Sequence, residues 1–132
     1  FPLRNKEVDV RIVPALLLAA VLVACSGVKL PPVSPDQVEV YSEPGGQFPS
    51  EEYERMAFME RAFTSDECAR ETGTTTCDDE ETWQFGLEWL KSWAGQQGAD
   101  AILIQEMGYS TAGQRYVATA IYFPSRHPEL QQ

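Results

Sequence analysis

Three cysteines, one histidine and a run of carboxylates are the groups in this 132-residue chain with chemistry to offer. Cys25 stands directly behind Leu22-Val23-Ala24. Cys68 and Cys77 are not spaced as Cys-x-x-Cys, and Asp66, Glu67, Asp78 and Asp79 flank them. Negative neighbours raise a thiol pKa and disfavour a reactive thiolate. His127, beside Pro128, reads as a solvated tail residue. One imidazole does not make a triad or a histidine-based zinc site. The acids from Asp66 to Glu81 lack the Asp-x-Asp-x-Asp-Gly pattern of a calcium loop. Glu80 and Glu88 fit a solvated helix face better than an acid/base pair. Gly45-Gly46 is a turn, not a phosphate loop. The expectation is a chain with no catalytic residues, no metal site and no cofactor, and so not an enzyme.

Cys25 closes an apolar run from Ile12 to Ala24, which follows Arg4, Lys6 and Arg11. A charged start, a short apolar stretch and small residues before a cut define an export signal. The run is too short for a spanning helix, which needs roughly 20 apolar residues. With Cys at the cut, the segment resembles a bacterial lipoprotein signal peptide with its lipobox. The resemblance implies a signal peptide over 1–24 and a lipid, palmitate included, on Cys25 as the first mature residue. Lipoprotein cysteines carry a diacylglycerol and an N-acyl chain, and several chains hold a protein firmly where one does not. Ser26 rather than Asp follows the lipidated position. By the same resemblance this favours the cell outer membrane, lipid-anchored and facing the periplasm.

Residues 25–132 carry 7 Lys+Arg against 18 Asp+Glu, a formal charge of −11. Such a surface repels nucleic acid and anionic lipid. In an exported protein the remaining even pair, Cys68 and Cys77, reads as a disulfide bond. The 108 residues make one small domain plus a tether. The tether is 25–36, with Gly27, Pro31, Pro32 and Pro35. The domain is 37–124, and 125–132 is a C-terminal tail.

Within the domain, Val38 to Tyr41 alternates and is β-branched, as a strand does. Ser50 to Phe63 is open between helix, on propensity, and a strand buried on both sides. Thr64 to Thr82 reads as a polar loop stapled by the bridge. Asp78 and Glu81 have the form of a capping box, opening a helix that runs to about Gln97. Trp83, Leu87, Leu90 and Ala94 form one face of it. Phe85, Trp89 and Trp93 make a second stripe. Core packing is the ordinary use of such stripes, but two exceed what one thin sheet must cover. Trp89 and Trp93 are therefore the candidate partner-binding residues. Gly98 suits the left-handed stop. Ala101–Met107 and Arg115–Phe123 read as strands around a polar loop over 108–114, forming an antiparallel hairpin.

Gly98-Ala99-Asp100-Ala101-Ile102 directly after an amphipathic helix, with Val38-Glu39-Val40-Tyr41 before and Ala118-Thr119-Ala120-Ile121-Tyr122 after, resembles a family of small α/β domains. That family includes heavy-metal-binding proteins of the YbjQ type and the sensor lipoprotein of the Rcs envelope-stress phosphorelay. The resemblance spans roughly residues 37–123 and implies that Arg55–Phe63 is the second strand. The sensor type carries two disulfides, and one is available here between non-lipidated cysteines. The fold expected is α+β: a small antiparallel four-stranded sheet packed by one amphipathic helix, in the order β-β-α-β-β. The function expected is a non-catalytic envelope interaction or stress-sensing module, with an envelope protein as partner. The alternative is a small-ligand or metal-binding periplasmic lipoprotein, which the YbjQ-type resemblance allows to be oligomeric.

Overall fold

The structure is a computed structural model that describes residues 28–131. Residues 1–24, read above as a signal peptide, and Cys25 lie outside the described residues. Strands β1 (Glu39–Ser42) and β2 (Glu54–Phe63) come first. Helices α1 (Ser65–Thr72) and α2 (Asp79–Gln96) follow. Strands β3 (Ala101–Ser110) and β4 (Gly113–Tyr122) complete the sheet. Short 3-10 turns cover Pro35–Gln37, Pro124–Arg126 and Pro128–Gln131. The α+β class holds, but the sheet is mixed.

Its order is β1-β3-β4-β2. β3 pairs antiparallel with β4, β4 antiparallel with β2, and β1 parallel with β3. The purely antiparallel sheet expected above is therefore corrected. The reason is the link after β1, which turns at Glu43–Gly46 and forms a Ser42–Gln47 bridge instead of a hairpin. The chain then crosses to the far edge of the sheet. It returns beside β1 only through α2, and a helical crossover aligns two strands in parallel. Segment 54–63 is a strand because its apolar residues have cross-strand partners. Met59 lies opposite Ala118 and Phe63 opposite Gln114. That pairing overrides the helix propensity of Glu, Met, Ala and Arg.

A second correction falls on residues 64–82, which are not all loop. Thr64 accepts a hydrogen bond from the Glu67 amide and caps α1, which stops at Gly73 in the left-handed region. A threonine three residues before a glutamate is itself a helix-start signal. The β3–β4 hairpin is also longer than expected, because Tyr109 pairs with Gln114 and Ser110 with Gly113. The Ser110 hydroxyl donates to the Gly113 carbonyl and accepts from the Ala112 amide, which closes the tip over two residues.

α2 begins with the expected capping box between Asp78 and Glu81. It lays Leu90 and Ala94, both fully buried, on a face formed by Phe63, Ile102, Tyr116, Ala118 and Ala120. The helix approaches closely because Gly86 sits over Phe63 and Tyr116. A Cβ there would come within 2.8 Å of the Phe63 ring. The opposite face of the sheet buries Ala101, Leu103, Ile121 and Phe123.

Residues 28–38, read above largely as tether, lie against the C-terminal end of α2. Leu30 and Val38 are buried, and Val28 and Val33 pack on the same core. The Val33 amide donates to the Gly95 carbonyl at 2.9 Å. Gly95 has no room for a side chain, since a Cβ would stand 2.5 Å from the Val33 carbonyl oxygen. Gly98 has φ +79° and meets Leu30 in the same way, so it serves as helix stop and as seat for the segment.

Candidate interaction surface

The domain has two chemically different ends. One gathers α1, the bridge, the start of α2 and the hairpin tip. Cys68 and Cys77 are joined by a disulfide. Cys68 is buried, and its sulfur lies 3.7 Å from the Glu81 carbonyl oxygen. The bridge thus ties the short α1 to the capped start of α2. Seven acids lie between Thr64 and Thr82, against one base, Arg70. Three of them, Asp79, Glu80 and Glu81, occupy the first turn of α2, where the helix dipole favours negative charge.

Beside this end runs the outer half of β3. β1 pairs only with Ala101–Ile104, so β3 beyond Ile104 has no strand on that side among the described residues. Met107 and Tyr109, two positions apart and on one face, are 43 % and 71 % exposed. The Tyr109 ring stands edge-on to Trp83 with centroids 5.7 Å apart, and its hydroxyl donates to Asp79. An open groove of about 330 Å³ lies between this tip and the start of α1, lined by Phe63, Thr64, Ser65, Asp79, Tyr109 and residues 110–114. Tyr116 is buried beneath, donating its phenol to the Trp83 carbonyl. Burial pushes its pKa up to about 12. The exposed pair was missed in the sequence because Gly108 made the stretch look like a loop. The apolar, glycine, aromatic alternation was the strand signal available.

Trp89 and Trp93, the partner residues expected from the sequence, are both half-buried against the core. Trp89 meets Phe63 at 5.6 Å between centroids, and the Arg61 guanidinium sits 4.4 Å from both rings. Arg61 in turn pairs with Glu67 of α1 at 2.5 Å. Its Nη1 is buried with no hydrogen-bond partner among the described residues, and the two ring faces are its neighbours. The structure does not bring Trp89 and Trp93 together with the exposed Met107–Tyr109 pair.

The other end gathers the C-terminus of α2, the docked segment and the tail. His127 is here and is not solvated, which corrects the sequence expectation. Its Nε2 lies 2.7 Å from Asp100 Oδ2, and its side chain is only 18 % exposed. Asp100 also accepts from the Phe123 amide, so the acid after the helix stop holds both the start of the tail and the imidazole. Arg126 lies 4.3 Å over the Phe123 ring and pairs with Glu39 and Glu51. These bonds, with that of Tyr41 to Glu39, hold the Glu39 carboxyl below the ordinary range; Arg126 does the same for Glu51. No group of three His, Cys, Asp or Glu is placed to hold a metal ion among the described residues. No helix among them is long and apolar enough to cross a membrane. Set against known proteins, the chain matches no family model, no curated protein and no solved structure.

Proposed function

We propose that this chain is an outer-membrane lipoprotein, anchored through Cys25 and facing the periplasm, that works as a non-catalytic interaction module of the cell envelope. Its job is to dock another envelope protein, and stress sensing of the Rcs type is the form the resemblance implies. The observation that carries the docking is the exposed Met107–Tyr109 pair beside an unpaired stretch of β3. Exposed apolar side chains next to a free strand edge suit an extended segment of a partner, which adds main-chain hydrogen bonds and fills alternate pockets. Acids at the start of α2 select a basic segment over an acidic one. The Cys68–Cys77 bridge keeps this end rigid, which lowers the entropy cost of binding.

A second reading, binding of a small polar ligand, has the groove at the hairpin tip in its favour. Its lining includes the polar residues Thr64, Ser65, Asp79 and Tyr109. Photo-crosslinking in cells separates the two. A photoreactive residue in place of Tyr109 is expected to give one dominant envelope-protein adduct, lost when Met107 is changed to Asp. No discrete protein adduct, together with a saturable small-molecule adduct, would turn the reading to the ligand.

A further inference from the structure

We infer that the domain is held in one orientation, with residues 28–32 and the last turn of α2 against the lipid headgroups and the disulfide-bridged end pointing away. The inference rests on the anchor at Cys25 proposed above. Cys25 is three residues from Val28, so about 11 Å of chain is the most that separates them. From Val28 onward the segment is fixed to the domain. Leu30 is buried, Val28 packs on the core, and Val33 is bonded to Gly95. A domain on so short a leash has little freedom to turn over.

The distribution of charge agrees. Residues 26–35 contain no acid and one base, the exposed Lys29. Residues 89–99, which include the C-terminal part of α2, contain no acid and one base, Lys91. The Lys91 ammonium pairs with Glu88 one turn back at 3.6 Å, so the exposed Lys29 is the free positive charge of this face among the described residues. Lys29 and Lys91 are the two lysines among the described residues. In a chain so acidic, these two neighbouring acid-free stretches form the surface best able to meet headgroup phosphates, whereas the seven acids between Thr64 and Thr82 would be repelled. Trp93, half-buried in the last two turns of α2, is the residue type favoured at a bilayer interface. With 18 residues, α2 is about 27 Å long. The bridged end therefore stands about that far above the surface, among water-soluble segments of a partner.

The test uses the full lipidated chain in its native membrane, with benzoylphenylalanine replacing Lys29, Gln96, Thr75 or Thr111 one at a time. All four positions are exposed. Lipid adducts are expected from positions 29 and 96, at about ten times the yield from 75 and 111, because α2 separates the ends by far more than the probe's reach. A flexible Gly-Ser spacer of about twenty residues after Ser26, with an end-to-end distance of about 25 Å, is expected to erase the difference. Equal yields from all four positions in the unspaced chain, or an excess from 75 and 111, would overturn the orientation. The intact mass of the same samples is read alongside. Absence of acyl mass on Cys25 would overturn the anchor, and the orientation with it, as a separate failure.

Discussion

Replacing Gly95 with Ala sets two effects of opposite sign against each other. Gly95 lies inside α2, where Ala in place of Gly stabilises a helix by about 1 kcal/mol. The new Cβ, however, stands 2.5 Å from the Val33 carbonyl oxygen. The obstacle is backbone, not a flexible side-chain tip, so residues 28–33 must lift away. Lifting exposes Leu30 and the packed sides of Val28 and Val33. A buried Leu contributes roughly 1.5–3 kcal/mol, and two half-buried valines add about 1 kcal/mol each. The freed segment regains some chain entropy. The balance is a net loss of about 1–3 kcal/mol, or a fall in Tm of about 5–15 °C for a domain of this size. Urea unfolding of the wild-type and variant chains measures the loss. Amide hydrogen exchange locates it, since the Val33 amide, which donates to Gly95, is expected to lose its protection first. A variant as stable as wild type, with the Val33 amide still protected, would refute the docking of this segment.

Changing Cys68 and Cys77 together to Ser removes a small closed loop and is expected to cost roughly 2.5–3 kcal/mol by the loop-entropy relation; urea unfolding of that pair variant checks it. Glu39 and Glu51 are more acidic in the folded state than unfolded, chiefly through Arg126. Their contribution is present above the ordinary glutamate value of 4.5 and is lost as pH falls below it. Arg126→Gln is expected to flatten that acid slope in thermal melts taken down a pH series. Tyr116, raised to about 12 by burial, stabilises the fold up to the ordinary phenol value of 10.0. That stability is lost as pH rises from there toward 12, by roughly 2–3 kcal/mol in total. Its tyrosinate absorbance should appear well above pH 10, toward 12, in a spectrophotometric titration.

The parts of the fold announced by local chemistry were readable from the chain. Asp78 and Glu81 named the start of α2, Gly98 its stop, and the alternation in 115–123 a strand. The parts set by distant pairing were not. Nothing in Glu39–Ser42 tells that its neighbour is β3 running parallel, because that choice depends on where the chain goes after Glu43–Gly46. Prolines at 31, 32 and 35 favoured extended backbone over helix, but Pro35 opens a 3-10 turn, and the segment before it docks instead of dangling. The glycines that reveal the docking, Gly95 and Gly98, lie more than sixty residues away. His127 looked idle for the same reason: its partner, Asp100, is 27 residues upstream. On the candidate surface, aromatic residues drew attention to α2, whereas the more exposed side chains, Met107 and Tyr109, belong to a strand whose edge is free only because β1 is short.

The mature N-terminus of the protein recovered from membranes tests the account most directly. Intact-mass and peptide analysis should show residues 1–24 removed and Cys25 carrying a diacylglycerol and an N-acyl chain. Cys25→Ala should release the domain from the membrane fraction or leave its signal uncleaved. A chain whose Cys25 bears no acyl group, and whose membrane association survives that substitution, would contradict the anchored module proposed here.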